Sequence, residues 1–576
     1  MSWIIGIAGN NIHRLKDKVF SFANEFLFEF ENDKLFIRGG GNDRTFFSGK
    51  NNDGGFAACG VGIEYFENSA KFLSSHDYDT LNNEDSLNLN GHFVFTKWNN
   101  KRISILTDKF GLRDIFVFKN PGGGYLFSTC SDWLAKIVDS EINYKVFGSR
   151  WLLFNQISSE SIFDGIKRIN CGSEFTIELD DLSSRITKHN WFENISEKEF
   201  TVNDFKHTFE GFTKFPSDEN LILNLSLSGG MDSRAILSQL LKSNVPFSTH
   251  TFGNFESPDS KIAKQLSETF GIKHEQIDLP LPSIDETIYE IKEYVSQSLV
   301  NNSVSSYIQL RNYDYFKNRS DILIDGGFGE IWRREFFNRL LITGKKYLRE
   351  ENVEAILPFL MINRADIFNN DIKLSMIAGC EEQLEAIFKE LPSIKNIGVA
   401  NWVDLFAIKT RLVNYYSHEQ IRSDGIIQSY MPFLQPALLD NILGMKLTDR
   451  KNGKMLRQII NTNNRKLGKF PLAKGELTHP FWFSTIQTRL YLFANKKLKG
   501  RAQNYLPSKK IIDFLYSFVQ DTINSQPVKN ADCYDQKKLS VLSAKLFKRE
   551  LSTGDYSELD WWLAFEIFRQ DLENKS

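Results

Sequence analysis

A chain of 576 residues, 41% of them hydrophobic, is too long for one ordinary core, so two or more domains are expected. Its formal net charge of -2 offers no global attraction to nucleic acid or to an anionic membrane. Five scattered cysteines without CxxC spacing (Cys59, Cys130, Cys171, Cys380, Cys533) exclude a zinc or dithiol motif and fit a reducing cytoplasm, and no apolar run reaches the roughly 18 residues of a membrane span.

From Trp3 onward, short β-rich runs punctuated by Gly and Asn predict strands at 3–8, 56–66, 92–98, 102–108, 115–118 and 125–129. A helical pattern over 15–28 interrupts them, giving an α+β unit of largely antiparallel sheet. A polar, charged run at 194–203 marks a boundary, so the expected units are 1–195 and 203–576.

The second unit opens on Leu221 to Leu241, which reads LILNLSLSGGMDSRAILSQLL. Leu221, Ile222, Leu223, Leu225 and Leu227 form an apolar run of strand length, while Ala235, Ile236, Leu237, Leu240 and Leu241 recur on one helix face. Between them, Gly229 and Gly230 allow a tight turn whose main-chain N–H groups can converge on one anion at the helix start. Ser228 and Ser233 can donate to phosphate oxygens, and Asp232 is tolerable there as a ligand for Mg2+. A Gly-Gly turn capped by Ser or Asp, needing no ligand, is the alternative reading. No Lys-Ser or Lys-Thr pair follows, so the spacing is not that of the Walker loop.

A strand is expected at 247–252, then a helix opened by Ser257-Pro258-Asp259-Ser260 and stopped by Gly271, then a strand at 274–279. Ser283 and Glu286 form a capping box for the next helix, and 321–325 reads as another buried strand before Gly326-Gly327-Phe328-Gly329-Glu330. Such alternation predicts a parallel, doubly wound sheet with its ligand at the carboxyl ends of the strands, near 251–254. The remainder reads as helical, with helices at 403–416, 437–443 and 559–568, the last a packing element through Trp561, Trp562 and Phe565. The basic run Lys496, Lys497, Lys499, Arg501, Lys509 and Lys510 reads as a solvated face, against a docking patch for an acidic partner.

Ser228-Gly-Gly-Met-Asp-Ser233 resembles the pyrophosphate loop of ATP pyrophosphatases, and further segments resemble class B asparagine synthetases. Gly91-His-Phe-Val-Phe, the stretch from Ile105 to Arg113 and Tyr125-Leu-Phe-Ser128 are similar to that family's glutamine amidotransferase domain. The string from Thr251 through Ser257-Pro-Asp259 and Ala263 to Gly271-Ile-Lys-His274, the segment from Asp424 to Gln435, and Lys454-Met-Leu-Arg457 followed by Phe470 to Glu476 are similar to its synthetase domain. The resemblance implies an Ntn-hydrolase-like α+β sandwich followed by a doubly wound sheet of the ATP pyrophosphatase type with a helical C-terminal region. It implies ATP and Mg2+ as cofactors. Leu227, Ser228, Gly229, Gly230, Met231, Ser233, Phe252 and Gly327 would bind the nucleotide, and Lys474 would act with Asp232 at the α-phosphate.

Two departures qualify what the resemblance implies. Ile5, before Gly6-Ile7-Ala8-Gly9, stands where the family has its Cys nucleophile, and Ser2 is three positions out of register, so the glutaminase half is expected to be inactive. Gly326 and Gly329 stand where the family has acidic residues, so either Asp325 or Glu330 is expected to join Asp232 as metal ligand, or Asp232 and the phosphates hold Mg2+ alone with water as the remaining ligands. The implied activity is an ATP-dependent, amide-forming ligase that adenylates aspartate, or a peptide or metabolite carboxylate, releasing pyrophosphate and AMP. Its partners are then that carboxylate and an amine donor, with a homodimer left open. Lasso-peptide and β-lactam cyclising enzymes share the architecture, which makes a macrolactam cyclase one alternative; the two glycines make a non-catalytic nucleotide-binding relative another. Thiolation of tRNA by a related pyrophosphatase, a third reading, is disfavoured by the lack of paired cysteines to carry the sulfur.

Overall fold

Strands β1 (Trp3–Ala8), β2 (Phe28–Glu31), β3 (Leu35–Gly40), β4 (Phe46–Lys50), β5 (Gly54–Phe66), β6 (Ser69–Phe72), β7 (Asn90–Asn99), β8 (Arg102–Thr107), β9 (Phe116–Lys119), β10 (Tyr125–Ser128), β11 (Ile166–Arg168), β12 (Ser173–Glu178) and β13 (Ser184–Lys188) form two antiparallel sheets in the computed structural model. The model describes the whole chain except residues 11, 52–53, 82–87, 170, 196–197, 216–220, 244, 499–505 and 574–576. One sheet runs β11-β9-β10-β1-β3-β2; the other runs β13-β12-β8-β7-β5-β4, with β6 paired to β5.

Alternation along β1 explains the layering. Ile4 and Ala8 point between the sheets, into a core with Ala57, Cys59, Val94 and Ile105, whereas Trp3, Ile5 and Ile7 face an outer helical layer containing Val19, Leu134, Phe147 and Trp562. Gly6 is confined between β10 and β3, where a Cβ would fall 2.3 Å from the Phe127 ring.

The helix expected at 15–28 is instead Ile12–Phe22. Phe28 is captured by the sheet edge, where it pairs with Gly39 and is buried. Neither β2 nor the short strands β3, β4, β6 and β11 to β13 was legible, because their cross-strand partners rather than their own periodicity hold them.

Beyond residue 220, β14 (Ile222–Ser226), β15 (Phe247–Phe252), β16 (His274–Ile277), β17 (Asp321–Ile324) and β18 (Ser429–Tyr430) form a parallel sheet in the order β16-β15-β14-β17-β18. Strand order reverses between β14 and β17, which opens a crevice at their carboxyl ends. Helix Pro258–Phe270 has the predicted ends: the Ser257 side chain accepts the Ser260 N–H, Pro258 fills the first turn, and Gly271 adopts φ +65° at the C-cap. A small hairpin, β19 (Leu472–Lys474) and β20 (Leu477–His479), stands beside the crevice.

The expected helix at 403–416 splits into Ile394–Ala407 and a wider π-type continuation over Ile408–Tyr416, and that at 437–443 shortens to Pro436–Leu439. The final helix is longer than predicted, Thr553–Glu573, and buries Trp562 and Phe565 against the outer face of the first sheet. Among the described residues no helix is long and apolar enough to cross a membrane. The side chains of Lys496, Lys497, Lys499 and Arg501 lie outside the described residues.

A buried polar network ties the antiparallel sheets to the parallel one. Asp424 accepts from Arg113 Nη1 at 2.6 Å and lies 3.0 Å from His92 Nε2, and Gln435 Oε1 accepts the Gly91 N–H at 2.9 Å. All four side groups come from segments the sequence marks as family-like, and the fold uses them to join its two parts.

Candidate active site

Strands β14 and β17 both end in glycine-containing turns, and the two turns meet at the crevice. Leu227 is fixed first: its N–H donates to the His250 carbonyl at 2.8 Å and its carbonyl accepts from Thr251 Oγ1 at 2.6 Å. The loop then closes on itself. Ser228 N–H donates to Ser233 Oγ at 3.2 Å, Gly230 N–H donates to Ser228 Oγ at 3.1 Å, and the two hydroxyls lie 3.0 Å apart. Gly229 N–H donates to the Asp259 carboxylate at 2.8 Å. Burial pushes the Asp259 pKa up, and the Gly229 N–H partly offsets that. The Gly229 amide thus already has a carboxylate partner, which a phosphate at this position would have to displace.

Helix Met231–Ser243 begins directly after Gly230, so Met231 and Asp232 lie in its first turn. Arg234, one helical position beyond Ser233, is fully buried. Its guanidinium donates to the carbonyls of Gly229 (3.2 Å), Leu467 (3.2 Å), Phe470 (2.8 Å) and Pro471 (2.7 Å), and burial lowers its pKa to about 9. That fork holds the hairpin against the loop. Ala473 N–H adds a bond to the Gly229 carbonyl at 3.0 Å, and a Cβ on Gly229 would sit 2.7 Å from the Ala473 Cβ, so only glycine allows this approach.

Lys474 ends β19, with Gly475 at φ +59° turning the chain back. Its side chain is half-exposed, with Nζ 3.7 Å from Glu335. Glu335 also pairs with Arg333 at 2.9 Å, and Arg333 reaches on to Asp232 with two parallel bonds, Nε to Oδ1 at 2.7 Å and Nη2 to Oδ2 at 2.6 Å. Burial works against the Arg333 charge, but Asp232 and Glu335 outweigh it and hold its pKa above the ordinary value. Asp232, Arg333, Glu335, Arg457, Lys474 and His479 line one cavity of about 210 Å3.

The three carboxylates expected to hold Mg2+ are engaged elsewhere. Both oxygens of Asp232 accept from Arg333, Asp325 accepts the Gly327 N–H at 2.7 Å, and Glu330 accepts from the Tyr416 hydroxyl at 3.2 Å. Among the described residues no group of three His, Cys, Asp or Glu could hold a metal ion. Asp232, bidentate to Arg333, is thus not arranged as a Mg2+ ligand, whereas Asp325 and Glu330, beside the hydrogen bonds they accept, each keep free lone pairs.

Of the other predicted residues, Gly327 lies under Met431, whose sulfur would be 2.7 Å from an added Cβ. Phe252 ends β15 with its ring against His250 and Tyr313, at centroid distances of 4.7 and 4.9 Å. His274 Nδ1 lies 2.9 Å from Thr249 Oγ1 on the far side of the sheet's second strand, a structural contact. In the antiparallel part, Ile5 is fully buried, and the Met1 amine is buried with its pKa lowered. Cys59, the thiol nearest Arg113 by charge interaction, is pushed up to about 12 by burial.

Sequence reasoning missed Arg333, Glu335, Arg234, Arg457 and Asp259 as members of the site. One signal was present: Gly326 and Gly329, where the resemblance implies acids, lie in the same short segment as Arg333.

Comparison with known proteins gives one family match: the asparagine synthase family model matches residues 222–313, supporting an asparagine synthase-like family for a span that contains β14, the loop, β15 and β16. No curated protein is a significant match. Among solved structures, the chain is similar at 12% identity to the allosteric regulatory enzyme of purine biosynthesis, covering 59% of this chain and 77% of that one with a TM-score of 0.21. It is similar at 12% identity to the glutamine phosphoribosylpyrophosphate amidotransferase from B. subtilis, complexed with ADP and GMP, covering 58% of this chain and 77% of that one with a TM-score of 0.20. Likenesses at such TM-scores carry no argument about this chain.

Proposed function

We propose that this chain is an asparagine synthase-like, ATP-dependent ligase that activates a substrate carboxylate as its adenylate and passes the acyl group to an amine. The observation that carries the reading is the convergence on one crevice of the Ser228–Ser233 loop, the end of β15 and the Lys474 hairpin, with the loop inside the span matched by the asparagine synthase model. In this reading the sheet is of the ATP pyrophosphatase type, and the units are 1–195 and 203–576.

The chain's own groups have separable tasks. The loop amides and the Ser228 and Ser233 hydroxyls receive the pyrophosphate end of ATP, with Leu227, Met231 and Gly327 shaping its bed and the Phe252 backbone meeting the base. A carboxylate oxygen attacks the α-phosphorus, the bond to the β-phosphate oxygen breaks, and pyrophosphate leaves with the electron pair. Lys474 stabilises the charge that grows on the α-phosphate oxygens, an effect that strengthens as bound substrate excludes water from its half-exposed ammonium. An amine then attacks the acyl carbon and AMP departs, a much better leaving group than hydroxide. With Ile5 at the nucleophile position, ammonia from solution or an amine on the substrate itself supplies the nitrogen.

Reversible adenylation is tested by exchange of labelled pyrophosphate into ATP in the presence of aspartate and of peptide carboxylates. Carboxylate-dependent exchange supports the reading. Nucleotide binding without exchange for any carboxylate favours a non-catalytic relative, the second reading, which rests on Gly326 and Gly329 standing where acids are expected.

A further inference from the structure

We infer that Arg333 stands in for a divalent cation beside the phosphate loop, so that this site takes the triphosphate of a nucleotide as the metal-free anion. The inference rests on the nucleotide reading above and concerns how the phosphate charge is met.

Geometry carries it. Asp232 and Arg333 lie fork to fork, both side chains about 15% exposed, so a metal at Asp232 would have to crowd or displace a guanidinium already held by a bidentate, charge-assisted pair. The facing turn has been cleared to allow that pair. A Cβ on Gly329 would sit 2.4 Å from the Asp232 carboxyl carbon, and one on Gly326 would sit 2.9 Å from the Ser233 nitrogen. Position 329 cannot carry a side chain while Asp232 is turned toward Arg333, and position 326 is held to glycine by the backbone at the start of the loop helix. Gly329 and the Asp232–Arg333 pair are therefore one structural arrangement.

Charge balance agrees. Arg333, Arg457 and Lys474 line the cavity against Asp232 and Glu335, so its wall is net cationic without a metal. A guanidinium has five N–H donors in a plane. Asp232 and Glu335 engage three of them, which leaves donors on Nη1 and Nη2 for phosphate oxygens at the cavity wall. Arginine, unlike lysine, can serve a carboxylate and a phosphate at once through one rigid fork.

The test is equilibrium binding of a non-hydrolysable ATP analogue to the full-length protein, measured by calorimetry with excess magnesium and then with EDTA. The expected result is an affinity that changes by less than about threefold between the two conditions. In Arg333→Met, binding in EDTA should weaken by roughly tenfold or more, the worth of one charge-assisted contact, and magnesium should restore part of it because Asp232 is then free. Arg333→Lys, which keeps the charge without the fork, guards against a folding defect and should fall between the two. Wild-type binding that requires magnesium would overturn this inference while leaving the nucleotide reading intact. No binding in either condition would overturn that reading, and this inference with it.

Discussion

Asp232 and Lys474 show how far a residue's role depends on what the fold places against it. Both are legible as site residues from their motifs, yet one is tied up in an ion pair and the other is held in reach by a hairpin that Arg234 anchors. Lys474→Ala should lower the rate of AMP formation by about 100-fold, the scale of removing one group that stabilises developing charge, with nucleotide affinity nearly unchanged. A large loss of affinity at an intact rate would contradict that role. His250, fully buried under the sheet with Nδ1 2.7 Å from Asn224 Oδ1, gives a pH-dependent test of the fold around the loop. Burial, with His274 and Arg319 adding repulsion, depresses its pKa to about 3. Below about pH 6.5 the unfolded chain takes up a proton that the native imidazole refuses, so stability from this group is present above that pH and is lost as pH falls toward 3. His250→Asn keeps a donor near Asn224 and removes the titration. The stability advantage of the wild type over this variant should shrink by about 2 kcal/mol between pH 7 and pH 5, measured by chemical unfolding, and an advantage independent of pH would refute the assignment.

Elements rather than residues decide where Lys474 stands. Arg234→Met would leave the carbonyls of Gly229, Leu467, Phe470 and Pro471 without their shared donor. Amide exchange over residues 470–479 should then accelerate while β14 and β15 stay protected, since losing one buried multidentate cation frees the hairpin before it unfolds the sheet. Equal acceleration across the whole parallel sheet would contradict the division. The strand, loop and helix around Ser228 were legible because local pattern and tertiary role coincide there, as they do in Pro258–Phe270 with its cap, first-turn proline and terminal glycine. Phe28 was misread as helical because a sheet edge 11 residues away along the chain, at Gly39, outcompetes its local preference. Arg333 and Asp232 are about a hundred residues apart in sequence and meet only because β14 and β17 are neighbours, so no window of sequence could have paired them.

At the scale of the whole molecule, the Asp424 network makes the antiparallel sheets and the parallel sheet dependent on one another. Asp424, Arg113 and His92 are each no more than 1% exposed, and Thr45 Oγ1 donates to the Asp424 carbonyl at 2.8 Å. Asp424→Asn would leave the Arg113 charge buried with a weaker partner, a loss of about 3 kcal/mol. Calorimetry should show a lower midpoint and a broadened or divided transition, whereas a single transition at the wild-type temperature would show that the two parts are held by packing alone. In the proposed reading the antiparallel part, with Ile5 at the nucleophile position, supports the crevice instead of delivering ammonia through its own chemistry.

The proposed reaction turns on bond cleavage between the α- and β-phosphates of ATP at the crevice between β14 and β17. Its most direct test is identification of the nucleotide product when the purified chain is incubated with ATP, ammonium and a panel of carboxylates that includes aspartate and peptides. AMP and pyrophosphate should form in equal amounts, dependent on the carboxylate and slowed by about 100-fold in Lys474→Ala. ADP and phosphate as the products, or AMP formation that persists unchanged without Lys474, would contradict it.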